Sequence, residues 1–266
     1  MIEHIRIPIP MQDRSVHAQL RPASRGKSIA PTVVFVHGFL GEGVENHRMF
    51  IRVAERFVAA GMNCVLFDQK GCGYSDGDYE DVCLSDMRAD LEAVAQWARR
   101  QVGSIIGLFG QSVGTALCLE SAQTHPERYR FVIGLNPVPE ANKWMLSRYH
   151  WDLRTDVQTY LALPKGIYVS RELLSDLVTW DWIASVYQTR TPTLLLAGTD
   201  DDLDSVATAK VVAARLGEMA SLVELPGGTH SFVGQRELES LAVDSAISWL
   251  IDGQGAVGGL RNVRMA

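Results

Sequence analysis

The chain has 266 residues, of which 47% are hydrophobic and 21% charged, with a net charge of −6. That length suits one α/β domain carrying an insertion, or two small domains, and the acidic balance leaves no basic stripe for nucleic acid. No window of 18 consecutive apolar residues exists, so no membrane span is expected.

The first residues alternate, with Ile2, Ile5, Ile7 and Ile9 set among polar residues, and Val16 to Leu20 repeat the pattern. This predicts a half-buried entry hairpin whose edge is marked by Pro8 and Pro10. Met1 to Arg6 carry no basic region ahead of a long apolar run, so no signal peptide is expected. Residues 32–36, Thr-Val-Val-Phe-Val, form a continuous β-branched run of the kind buried on both faces of a parallel sheet. It ends in His37-Gly38-Phe39-Leu40-Gly41. A helix is expected from about Asn46, with Gly61 as its stop.

Residues 64–67 read as the next buried strand and run into a turn-rich loop, residues 68–77 (DQKGCGYSDG). A helix should start near Ser85 as N-cap, with Asp86 in its first turn. The apolar run 104–109 precedes Gly110-Gln111-Ser112-Val113-Gly114, and a helix-like run follows at 115–122. Strand, G-x-S-x-G and helix form the layout of a nucleophile elbow. A serine at so sharp a turn takes a strained backbone, and its neighbours two residues away must be nearly free of side chain. The helix aims free N–H groups and a positive dipole end at the hydroxyl.

Residues 131–135 read as a further strand. From Pro137 to about Thr189 the β/α rhythm breaks, in a window that holds four of the six tryptophans, among them Trp144, Trp180 and Trp182. The rhythm resumes with a strand at 192–198, a helix near 203–216, a strand at 221–225 and a helix near 238–251. The expected organisation is therefore a core of residues 1–137 and 189–252, a cap or lid at 138–188, and a flexible tail at 253–266. The fold class is α/β: a mostly parallel central sheet with helices on both faces and a small inserted cap.

A serine needs a base, and His230 follows a strand in a loop at the sheet edge where ligands bind. His4, His17, His47 and His125 are expected to face outward, and His150 lies in the insertion. The base needs an orienting carboxylate. Thr199-Asp200-Asp201-Asp202-Leu203-Asp204 supplies four candidates, with Asp202 or Asp204 suited to a helix cap, Asp201 the first choice and Asp200 the next. Two oxyanion donors are expected from the backbone N–H groups of Val113 and Phe39. His37 is expected to buttress that loop or line the pocket, together with Gln111, Trp144, Trp180 and Trp182.

The four cysteines (Cys64, Cys72, Cys83, Cys118) form no C-x-x-C pair and no zinc spacing, so no metal or cofactor is expected and a reducing, cytoplasmic location is. No P-loop, dinucleotide fingerprint or H-E-x-x-H motif is present.

With these motifs together, the chain resembles the α/β-hydrolase superfamily from His37 to Trp249: H-G-F at 37–39, G-x-S-x-G at 110–114, G-x-x-D at 198–201 and G-x-x-H at 227–230. The loop 68–77 is similar to the D-x-R-G-x-G-x-S-x-G loop of serine-aminopeptidase-like, lysophospholipase-like and feruloyl-esterase-like hydrolases, with Lys70 in place of arginine and Gln111 in place of a frequent histidine. The resemblance favours Asp201 as the acid. It implies a serine hydrolase for esters of small or aromatic acyl groups, working through an acyl-enzyme. Thioesterase, peptidase or amidase, acyltransferase and C–C hydrolase activities share the same residues, and a weakly catalytic receptor is the reading from another class. The expected partner is a small-molecule ester or acyl substrate, and a homodimer is left open.

Overall fold

In the computed structural model the described residues are 1–23, 30–103, 106–139, 160–163, 167–187 and 189–252. Ten strands lie among them: β1 Glu3–Pro8, β2 Ser15–Arg21, β3 Thr32–Val36, β4 Asn63–Phe67, β5 Ile106–Gln111, β6 Tyr129–Leu135, β7 Tyr160–Leu163, β8 Ile167–Ser170, β9 Thr193–Gly198 and β10 Ala220–Leu225. The helices are α1 Met49–Ala59, α2 Leu84–Gln101, α3 Val113–Thr124, α4 Arg171–Thr179, α5 Trp182–Ser185, α6 Ser205–Leu216 and α7 Arg236–Ile251.

Eight strands form one sheet in the order β1-β2-β4-β3-β5-β6-β9-β10. The β1–β2 and β2–β4 pairings are antiparallel, and every pairing from β4 through β10 is parallel. The continuous apolar runs have their cause here. In β3, Val34 and Val36 enter the core beneath α2, α3 and α6, while Val33 and Phe35 enter the core beneath α1 and α7. A strand covered on both faces has no polar side to show. On the second face, Phe35 stacks on Phe109 at 5.0 Å and meets Phe50 and Phe57 edge-on.

Three helices begin later or earlier than their sequence signals. Asn46–Arg48 form a tight 3₁₀ turn, with His47 and Arg48 in left-handed conformations, so the α-helix itself starts at Met49. Ser85 is not a cap. The Asp86 carboxylate accepts from the Cys83 backbone N–H at 3.2 Å, which makes Cys83 the boundary, two positions ahead of Ser85. Asp204 precedes α6 with a φ of 57°, so that helix opens at Ser205.

Lys70, the departure from arginine, still pairs. Its ammonium meets Asp86 at 2.9 Å, while Arg14 in the β1–β2 turn meets Asp90 at 2.6 Å. This network ties the entry hairpin and the loop 68–77 to α2. Of the interval 138–188, the described parts contain the antiparallel pair β7–β8, α4 and α5. Ser170 caps α4 and donates to the Val82 carbonyl at 2.5 Å; Asp176 accepts from Leu84 N–H at 3.1 Å. This part of the chain is thereby fastened to the N-terminus of α2. The tail from residue 253 lies outside the described residues, as do Trp144 and His150.

Candidate active site

The C-terminal ends of β3, β5, β9 and β10 bring the site together. Ser112 stands between the last residue of β5 and the first of α3, with φ 58° and ψ −125°. No other residue separates strand from helix. The flanking glycines are required by close approach: a Cβ on Gly110 would overlap the Gly114 carbonyl, and one on Gly114 would overlap the carbonyl oxygen of Val36. Ser112 N–H donates to Leu135 O at 2.9 Å, and Thr115 Oγ1 donates to Gly110 O at 2.9 Å, which fixes the turn.

His230 Nε2 lies 3.0 Å from Ser112 Oγ, and His230 Nδ1 lies 2.7 Å from Asp201 Oδ2. Asp201 also accepts from Leu203 N–H at 2.8 Å through Oδ1 and from the Ser205 hydroxyl through Oδ2. Burial pushes the Asp201 carboxyl up, but the hydrogen bonds from His230, Ser205 and Leu203 outweigh it and hold it below the usual carboxylate range. An ionised Asp201 accepts, so Nδ1 carries the proton and the Nε2 lone pair faces the serine. That tautomer can receive the hydroxyl proton. Asp200 points elsewhere, its Oδ1 accepting from the Thr199 hydroxyl at 3.1 Å.

The loop after β3 runs against Ser112: a Cβ on Gly38 would lie 3.0 Å from Ser112 Cβ. Gly38 N–H donates to Glu45 Oε1 at 2.7 Å and Leu40 N–H to the Tyr79 hydroxyl at 3.2 Å, so Phe39 is held from both sides. Val113 is the first residue of α3, where backbone N–H groups lack helical acceptors.

His37 is a buried strut and does not line a pocket. Its Nε2 accepts from Gln69 N–H at 3.0 Å and its Nδ1 donates to Gly38 O at 2.9 Å. Gln111 is likewise buried, its Nε2 donating to the His230 carbonyl at 3.1 Å. Trp180 donates to Glu120 Oε1 at 3.0 Å beneath the Arg88 guanidinium. Glu120 is eight residues along α3 from Ser112, roughly 12 Å away. Trp182 is 1% exposed in the core against α3. Both tryptophans therefore serve packing beside α3. His17 is less outward-facing than its alternating strand suggests: it meets Asp68 at 3.2 Å and His4 at 3.0 Å. Among the described residues no group of three or more His, Cys, Asp or Glu could hold a metal ion, and no helix is long and apolar enough to cross a membrane.

Sequence reasoning passed over Ser205, Glu45, Tyr79 and Asn136. A single polar residue at a strand or helix end has no spacing partner that would single it out.

A family model described as the alpha/beta hydrolase fold matches residues 31–181. The human (Homo sapiens) palmitoyl-protein thioesterase ABHD10, mitochondrial, is 26% identical over 200 residues, covering 72% of this chain and 63% of that protein. Proline iminopeptidase of Neisseria gonorrhoeae is 36% identical over 103 residues, covering 38% of this chain and 31% of that one. The chain thus spans less than two thirds of the length of these curated relatives. Among solved structures, Est1E from Butyrivibrio proteoclasticus with ferulic acid bound has a TM-score of 0.81 at 19% identity, covering 93% of this chain and 98% of that one. ABHD10 from mouse has a TM-score of 0.72 at 19% identity, covering 94% and 97%.

Proposed function

The chain belongs to the alpha/beta hydrolase fold family, and from that premise we propose that it is a serine hydrolase of carboxylic esters with small or aromatic acyl groups. The observation that carries this reading is the continuous relay from Ser112 Oγ through His230 to Asp201, at 3.0 and 2.7 Å. Ser112 attacks the acyl carbonyl as His230 takes its proton. Asp201 holds the imidazolium, and the Phe39 and Val113 N–H groups stabilise the oxyanion. Expulsion of the alcohol, protonated by His230, leaves an acyl-enzyme, which water activated by His230 then hydrolyses to the acid. The interval 138–188 acts as a cap over the acyl group in this reading, and the ferulic acid held by Est1E supports an aromatic acyl.

A thioester substrate is the second reading, favoured by the alignment of the human palmitoyl-protein thioesterase with 72% of this chain. A panel of aryl esters and matched thioesters, varied in acyl length and aromaticity, tests both, with Ser112→Ala as control. Turnover that survives Ser112→Ala at the wild-type rate overturns the assignment. Compartment follows separately: the cytoplasmic reading stands against a human relative named as mitochondrial, and subcellular fractionation decides it.

A further inference from the structure

The nucleophile and its base come from strands that do not touch. Ser112 follows β5, while His230 follows β10, and β6 and β9 lie between them in the sheet. The histidine loop is anchored on its own side: Asp200 N–H donates to Gly228 O at 3.0 Å, and Gln235 binds both Thr229 N–H and Gly227 O. Something must also fix its distance from β5.

Two buried amides do so. Gln111 Nε2, on the residue before the nucleophile, donates to His230 O at 3.1 Å. Asn136 Nδ2, on the residue after β6, donates to the same oxygen at 2.8 Å and to Thr229 O at 3.2 Å. The other end of Asn136 is equally committed. Its Oδ1 accepts from Gly198 N–H at 2.8 Å, at the end of the strand that leads to Asp201, and its backbone N–H donates to Leu196 O at 2.8 Å. Asn136 is fully buried and holds φ 45°, a left-handed conformation that asparagine tolerates better than most residues. One side chain thereby bridges the strand ends that carry the acid and the base, and it shares its acceptor with the residue adjoining the nucleophile.

We propose that Gln111 and Asn136 are positioning residues, an amide clamp on the His230 carbonyl that sets the imidazole at its working distance from Ser112 and Asp201. The inference rests on the serine hydrolase reading for its kinetic consequence, not for its geometry. Small misplacements of a general base are expensive: about 1 Å costs on the order of 100-fold. Both donors are neutral, so the clamp holds the carbonyl without adding charge next to the imidazolium.

The test compares wild type, Ser112→Ala, Gln111→Met, Gln111→His and Asn136→Asp on one aryl ester, alongside thermal melts and the downfield proton signal of His230 Nδ1–H. Gln111→Met matches volume but lacks a donor, and should lower kcat about 10- to 100-fold with KM nearly unchanged. Gln111→His keeps a ring N–H donor and should keep most of the rate. Asn136→Asp replaces the donor with a carboxylate beside the histidine loop. It should lower kcat and move the pH–rate profile to higher pH, because a nearby negative charge favours the imidazolium. In both slow variants the Nδ1–H signal should shift or broaden. Equal losses in Gln111→Met and Gln111→His would assign Gln111 to packing and overturn the clamp. Wild-type rates in Gln111→Met and Asn136→Asp, with Ser112→Ala inactive, would overturn it while leaving the hydrolase reading intact. A wild-type protein without turnover would sink the hydrolase reading instead. The Nδ1–H signal then decides the clamp alone: unmoved in both variants, it fails. If Asn136→Asp does not fold, the contrast between Gln111→Met and Gln111→His decides the clamp by itself.

Discussion

Asp201 lies in a run of acids, yet its environment singles it out. It is 9% exposed and accepts from His230, Ser205 and Leu203, whereas Asp200 is exposed on the turn. On the proposed mechanism, Asp201→Asn should lower kcat about 10³- to 10⁴-fold, because an amide can present its N–H to His230 and invert the tautomer. Asp200→Asn should stay within a few-fold. Steady-state rates check this, and the reverse order would move the acid by one residue. The same carboxylate predicts a pH dependence of stability. Its folded pKa lies below its unfolded value, so its contribution is complete above the unfolded pKa of about 4 and is lost as pH falls through the lowered folded value. Asp90 acts in the opposite sense: burial outweighs its bonds to Lys70 N–H and Arg14 and raises its pKa. Melts of Asp201→Asn between pH 6 and pH 3 should show a shallower loss on acidification than wild type. Ser112, Asp201 and His230 are legible as candidates because each stands two or three residues after a glycine at or near the C-terminal end of a strand: Gly110, Gly198 and Gly227. Ser205 stands at no such offset, and the partners of Asn136 are distant in the chain.

At the scale of elements, the elbow tolerates no added atom. Gly114→Ala would drive a methyl group into the Val36 carbonyl of the neighbouring strand, a backbone that cannot swing aside. We expect a drop in Tm of well over 5 °C or insoluble protein, since such overpacking costs about 1–3 kcal/mol or more. Gly217→Ala is the control. Gly217 has open space where a Cβ would stand but holds φ 57°, so only the smaller backbone strain applies. The ion network beside α2 gives a second test. Arg14→Ala leaves Asp90, 0% exposed, without its guanidinium, and breaking a buried pair typically costs about 3–5 kcal/mol. Urea denaturation measures it. Periodicity located these elements because burial on both faces leaves an unmistakable apolar run. It missed the starts of α1 and α2 because those are set by left-handed residues at 47–48 and by the Asp86 carboxylate reaching back to Cys83. Neither is a matter of hydrophobic pattern.

At the scale of the whole molecule, the aromatic content of 138–188 pointed toward a pocket wall, and composition cannot say which way a tryptophan faces. Trp180 and Trp182 face α3, while the fastening of α4 to α2 runs through Asp176 and Leu84. If this interval roofs the site as proposed, Asp176→Ala should raise KM for bulky aryl acyl esters more than for acetate esters, with kcat on acetate esters little changed. A uniform effect across the panel would argue against a roof. The strand order has a further consequence, in time. β5 sits inside the sheet while Asp201 and His230 arrive in the loops after β9 and β10, and 118 residues separate Ser112 from His230. At about 5–20 residues per second, a ribosome needs roughly 6–24 s to cover that distance. Throughout that interval the nascent chain carries a serine with no base beside it. On the proposed mechanism such a chain is chemically silent while it is being made, and Ser112 becomes reactive only when β9 and β10 have joined the sheet.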